Sequence, residues 1–319
     1  MKHFTIFIAG LCAFVTAYAQ PPVAPSGLTA HYDHVLNVLK LRWSHLGADS
    51  FHVWTATSPE GPFDLLDATT TTQYVDSVLS NPHFYEVTAL LEGQESEPCS
   101  NRVGYVRIFV VNGGSTAFGL PFKFCDIGEN GIPVYGTLSN RPSDILGDQL
   151  LCGTALTGDK VLKQGFGNWA YRDVDSGCQW KGTLERGLGM TAGSPYWIVN
   201  NHQSRWIVLA GEVDNTGNYT VVRIPDDAHV NYSWRDSRVL SRDSLNLLVS
   251  GFMGGPRVTQ SDLVIDQENG LIFWRRTIDN TWQPPTSALT VKPGFAYWIY
   301  NRHHDNGEWF YNYDASGTP

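Results

Sequence analysis

Charge is scarce in this chain. Only 17% of its 319 residues are Asp, Glu, Lys or Arg, against roughly 25% in an average soluble domain. The 22 basic residues are outnumbered by 31 acidic ones, for a formal charge of -9. A phosphate backbone or an anionic bilayer needs a basic face, so no nucleic-acid partner is expected. After the N-terminus no run reaches the roughly 18 apolar residues of a membrane helix, so no membrane insertion is expected. There is no Gly-rich phosphate loop opening onto a helix, no Gly-x-Ser-x-Gly elbow and no cysteine pair at zinc-knuckle spacing. Nucleotide use, serine-hydrolase chemistry and thiol-bound zinc are therefore not expected, and neither is a cofactor or a metal. What the chain has is apolar and aromatic: 42% hydrophobic residues, 13% aromatics and 11 Trp, enough to bury a sizeable core.

The first 19 residues read as an export signal. Lys2 and His3 give a positive start, Phe4 to Val15 is apolar but too short to span a bilayer, and Ala17-Tyr18-Ala19 offers small residues for cleavage. The mature chain is expected to be secreted, periplasmic or held at the cell surface. It then carries four cysteines, Cys99, Cys125, Cys152 and Cys178. In an oxidising compartment these invite disulfides, with three complete pairings open. At least one bridge among Cys125, Cys152 and Cys178, and fewer than two free thiols, are expected.

Residues 20–107 alternate in the manner of half-buried strands: Leu39, Leu41 and Trp43; Phe51, Val53 and Thr55; Tyr85, Val87 and Ala89, each interleaved with more polar residues. Turn chemistry separates them at Ser58-Pro59-Glu60-Gly61-Pro62, Ser80-Asn81-Pro82 and Glu92-Gly93. Pro22, Pro25, Gly27, Leu28 and Ala30, then Leu41-Arg42-Trp43, Tyr85 to Ala89, and Ser96, Ser100 and Val103 resemble a fibronectin type III module. The resemblance implies an Ig-like sandwich in which Trp43 fills the inter-sheet core and Tyr85 ties a corner through its hydroxyl. It implies a spacer or adaptor role and no catalytic residue.

Beyond residue 107 the chain repeats itself. Gly193 to Asn200 (GSPYWIVN) is matched by Gly294 to Asn301 (GFAYWIYN), with Trp180 and Trp282 before and Trp206 and Trp309 after. Tyr171-Arg172 answers Trp274-Arg275. An internal duplication follows, 108–217 and 218–319. The first half has about twenty extra residues around Cys125 to Pro142. The pattern resembles an Asn-Leu-x-Ser / Gly-x-x-Tyr-Trp β repeat of secreted bacterial proteins, which implies an all-β, exported chain and no assigned activity. Tyr196, Ile198 and Asn200 share one strand face and Trp197 and Val199 the other, so the strand is expected to be covered on both sides. Gly193 and Gly294 are expected at positive φ or at a close backbone approach. Ser143-Asp144 ahead of Ile145, Leu146, Leu150 and Leu151 reads as a cap before one short helix. The expected fold is all-β: a fibronectin type III sandwich followed by a duplicated, mostly antiparallel β region.

Possible chemistry is thin. Asp126 to Gly131 crowds acids into a turn but puts Gly128 and Thr137 where an EF-hand needs ligands. Asp173 to Gly177 reads better as a hairpin, and His303-His304-Asp305 with Glu308 as an exposed turn. The aromatics remain. Trp197 and Trp298 are expected in the cores, whereas Trp180, Trp206, Trp282 and Trp309, near turns, are the candidate ligand-binding residues. The function expected is a secreted, non-catalytic binding or adhesion protein with an extracellular glycan or protein partner. The alternatives are a glycan-active enzyme with carboxylates hidden in the repeats, or a structural subunit of a surface layer or filament.

Overall fold

The computed structural model describes residues 20–77, 83–128, 133–163, 167–191, 194–214, 220–224, 228–232, 240–241, 252–266, 269–284, 289–302 and 307–311; at residue 133 and along 220–241 and 307–311 it describes the backbone. Residues 1–19, read above as a signal, residues 129–132, Gly193 and His303, His304 and Asp305, read above as a turn, lie outside the described residues. The described chain is all-β, in antiparallel sheets with short helical turns.

The first unit is the sandwich that its alternation calls for. Strands Ser26–Asp33, Val38–Ser44 and Gln73–Ser77 form one sheet; Asp64–Thr69, Ser50–Ala56, His83–Leu91 and Val103–Val110 form the opposing layer. Leu39, Leu41, Trp43, Phe51, Val53, Tyr85, Val87 and Ala89 all point into the core between them. The Tyr85 hydroxyl donates to Asp76 Oδ2 at 2.6 Å, the corner tie expected of it. Thr55 is only half-buried, and Ala56 takes the inward place.

Strand Val103–Val110 then serves twice. It pairs with His83–Tyr85 on one side and, from Val103 to Val110, with Arg205–Val213 on the other. Val103 and Tyr105 face the sandwich core, while Val106, Ile108 and Val110 face a second core. The boundary expected after residue 107 thus falls inside a continuous strand. A third layer closes the second core: a sheet in the order Gln179–Gly182, Trp169–Asp173, Lys160–Lys163, Tyr196–Val199, Ser115–Phe118. The extra segment of this half forms the hairpin of Phe122–Ile127 with Pro133–Ser139 and the helix Pro142–Leu146.

The second half repeats this sheet strand for strand, in the order Thr281–Gln283, Leu271–Arg276, Leu263–Asp266, Tyr297–Asn301, Ala228–Tyr232. Register agrees as well. Val161 lies between Ala170 and Ile198, and Val264 between Phe273 and Ile299. The pair Thr220–Ile224 with Gly307–Tyr311 answers Val103–Val110 with Arg205–Val213. Gly294 has φ 83°, the positive value expected of it, and a Cβ there would sit 2.8 Å from a Val106 methyl.

Three expectations are corrected. Tyr196 and Tyr297, 0% and 2% exposed, are the buried equivalents, and Trp197 and Trp298 are half-buried on the outer faces. The inward ring is the one whose hydroxyl can accept a backbone N–H, from Thr191 at 2.6 Å and Lys292 at 2.9 Å. Secondly, the helix starts at Pro142, with an extended Arg141 as its cap. Proline's fixed φ suits the first helical position, and the Ser143 hydroxyl is engaged elsewhere, donating to Glu185 Oε1 at 2.7 Å. Thirdly, the expected bridge forms, between Cys152 and Cys178, but the count of free thiols is two rather than fewer, since Cys125 and Cys99 are both free. Cys99 is enclosed in the sandwich core while Cys125 lies on the added hairpin. Burial pushes their thiols up to about 12 and about 11 respectively.

Candidate binding surface

The four candidate tryptophans separate into different environments. Trp180, opposite Arg172 in its ladder, packs against the second core and donates its indole N–H to the Gly147 carbonyl at 2.8 Å. Trp282, opposite Arg275, packs on the core of the second half, its ring 5.0 Å from that of Phe252. Both are half-buried, packed on a core by one face: nearness to a turn says nothing about which face of the strand a ring takes. The Trp309 side chain lies outside the described residues.

Trp206 is 48% exposed. It pairs across the ladder with Phe109, 43% exposed, at a ring distance of 5.1 Å, and the Arg107 guanidinium lies 4.4 Å from its ring centre. These side chains share the face whose other members, Tyr105 and Val208, enter the sandwich core. Beyond the sandwich that face runs out into solvent.

Sequence reasoning missed a second aromatic surface. In strand Trp169–Asp173 the period-two alternation sends Ala170 into the core and leaves Trp169 and Tyr171 together on the outer face, ring centres 5.3 Å apart, with Trp169 half-buried and Tyr171 8% exposed beneath the neighbouring turn. The next strand and the wide helical turn Leu184–Leu188 complete a groove of about 520 Å³ lined by Trp169, Tyr171, Lys181, Thr183, Arg186 and Leu188, with Gly182 and Gly187. Its size lies in the range of small-ligand sites. Gly182 makes the close approach possible: φ is 119°, and a Cβ would fall 2.1 Å from the Trp169 carbonyl oxygen. Thr183 fixes the rim, its hydroxyl accepting the Trp169 N–H at 3.1 Å and donating to the Gly167 carbonyl at 3.2 Å. Buried Leu184 anchors the turn, leaving Arg186 and Leu188 exposed. The readable signal was the Trp-x-Tyr alternation beside a turn.

The charges around the groove are arranged. Lys181 pairs with Asp173, holding the lysine above and the carboxylate below their usual ranges. Lys181 and Arg186 both line the groove, and repulsion from Arg186 offsets part of the effect on Lys181. Glu185 turns away, its carboxylate accepting the Ser143 N–H at 3.0 Å and the Ser143 hydroxyl at 2.7 Å.

Two polar features lie elsewhere. A cavity of about 160 Å³ between the sandwich and the added segment is lined in part by His31, His34, Cys125, Asp148, Gln149 and Glu212. Burial lowers the His31 pKa and raises that of Glu212. Asp159, wholly buried, accepts from Leu151 N–H, Asn201 N–H, His202 Nδ1 and Arg205. Its counterpart Asp262 accepts from Met253 and Arg302 N–H. Among the described residues no group of three or more His, Cys, Asp or Glu is placed to hold a metal ion, and no helix is long and apolar enough to cross a membrane.

No family model and no curated protein matches the chain. Among solved structures it is similar to a Fn3-like protein from Clostridium thermocellum, with 29% identity and a TM-score of 0.24. That likeness covers 25% of this chain and 88% of the other.

Proposed function

We propose that the chain is an exported, non-catalytic glycan-binding protein of the cell surface or extracellular space. In this reading the sandwich is a fibronectin type III module that carries the duplicated region, and the Trp169 groove holds the sugar. The observation that carries it is the half-buried Trp169 ring, backed by the buried Tyr171 ring, in a groove lined by two cations. The C–H face of a sugar ring stacks on an indole, while its hydroxyls remain available to polar groups at the edge. The Cys152–Cys178 bridge supports an oxidising compartment. The acids closest in sequence to the groove are engaged, Asp173 by Lys181 and Glu185 by Ser143. That favours binding over two-carboxylate glycoside cleavage, which needs an acid and a base facing the substrate.

The test is affinity electrophoresis and calorimetry of wild type and Trp169→Ala against a panel of soluble polysaccharides. Covering roughly 55 Å² of apolar sugar surface is worth about 1.4 kcal/mol, so the variant should lose about tenfold in affinity. An unchanged affinity in the variant would remove the groove from the reading, and turnover of any polymer by the wild type would overturn the non-catalytic part.

A further inference from the structure

We infer that the ligand of the Trp169 groove is an anionic polysaccharide, one whose sugar rings carry carboxylates, and that Arg186 is the residue that selects it. This deepens the glycan reading and rests on it. The chain as a whole is acidic, at -9, yet the residues lining this groove include two cations and no acid. Lys181 is partly spent on Asp173. Arg186 is exposed and, among the described residues, has no hydrogen-bond or ion-pair partner. The neighbouring acid that would most readily neutralise it, Glu185, is held on the far side by Ser143.

The geometry of a uronic acid matches this arrangement. Its ring offers an apolar C–H face to Trp169, and its carboxylate projects from the ring edge, where the rim cations stand. A guanidinium takes a carboxylate through two parallel N–H donors, which a neutral hydroxymethyl group at the same ring position does not offer. The second half supplies an internal contrast. Register puts Ile272 where the first half has Trp169, and Gln283 where it has Lys181. The second sheet therefore retains its core and an aromatic, Trp274, at the Tyr171 place, but lacks the Trp169 ring and the lysine, so the pairing of that ring with rim cations belongs to the first half.

The experiment uses the full mature chain and three acidic polymers, polygalacturonate, alginate and hyaluronan, each beside its methyl-esterified form, which keeps the rings and removes the charge. Wild type, Arg186→Gln and Trp169→Ala are titrated at low and at physiological salt, with thermal melts to show that the exposed Arg186 position leaves the fold intact. The expected result is binding to at least one acid form, about tenfold weaker to its ester. Arg186→Gln should lower the acid-form affinity to that of the ester, and Trp169→Ala should weaken both. Equal affinity for acid and ester, or no effect of Arg186→Gln, overturns the anionic ligand and leaves the glycan reading standing. Binding only to neutral polysaccharides does the same. No binding to any polysaccharide, acidic or neutral, overturns both.

Discussion

Asp159→Asn is the substitution with the largest expected cost relative to its change in size. The carboxylate is 0% exposed. Oδ2 accepts the Leu151 N–H at 2.9 Å and an Arg205 N–H, and Oδ1 accepts the Asn201 N–H and His202 Nδ1, each at 2.9 Å. Burial pushes its pKa up, but the His202 bond, the two backbone donors and the charge of Arg205 together bring it below the ordinary value of 3.8. Asparagine keeps the shape, drops the charge and turns an NH2 group towards donors. Arg205, whose side chain is only 17% exposed, then has no carboxylate. Breaking a buried pair from one side costs about 3–5 kcal/mol. At about 2–4 °C per kcal/mol for a unit of 150–250 residues, the melting temperature should fall by roughly 6–20 °C. The assay is near-UV circular dichroism during thermal and urea unfolding at pH 7. Because the folded pKa lies below the unfolded one, the stability Asp159 contributes is complete well above pH 3.8 and is lost as pH falls through the folded value. The gap between wild type and variant should therefore narrow in acid. A loss under about 1 kcal/mol at neutral pH, or a gap that does not narrow, would refute this account of the hub.

The other expectations are briefer. Tyr196→Ala should cost about 3–5 kcal/mol, as large aromatic truncations in cores do, and Trp197→Ala distinctly less, both measured by urea titration; the opposite order would contradict the assignment of faces. Trp206→Ala should change stability by under about 1 kcal/mol, the scale of an exposed cation–π contact, when melted beside wild type. Replacing Cys152 and Cys178 by Ser opens a loop of sequence separation 26 and should cost about 3.5 kcal/mol on the loop-entropy relation. Thiol titration of the unfolded, unreduced mature protein should then return the two thiols of Cys99 and Cys125 in the wild type, and four would refute the bridge. His31 has a folded pKa lowered by burial and then by Lys40, so stability should be lost as pH falls through 6.5 towards that folded value. His31→Gln should flatten this part of the pH–stability curve.

The sandwich was legible because its strands are apolar on one face only: Leu39-Lys40-Leu41-Arg42-Trp43 leaves no doubt which side turns inward. The repeat strands are apolar on both faces. Alternation separated Tyr196 from Trp197 correctly but gave no direction, and the choice fell to a tertiary contact, the hydroxyl reaching a backbone N–H five residues away. The likeness of the two five-stranded sheets was visible in the Tyr-Trp strands and in the spacing of Trp180 and Trp282. Asp159 and Asp262 were not, since a lone acid after a Gly or Ser looks like a turn residue until the strands that bury it are assembled. The groove was hidden for a related reason. Trp169 and Tyr171 signal an outer strand face, but its walls come from Gly182 and the turn after it, about fifteen residues away.

The strand Val103–Val110 has a consequence for how such a protein is inherited and loaded. A sandwich unit strung between linkers is a cassette: it can be cut out, moved or pulled upon alone. Here the final strand of the unit is also the first strand of its neighbour, so excision after residue 107 would divide a ladder and open the cores on both of its faces. Tension applied across the junction would meet this strand in shear, held by Arg205–Val213 along its length and by His83–Tyr85 at its start. Insertions, fusions and hinge motions are therefore excluded at this point, and the sandwich with the first repeat half should descend and unfold as a single block.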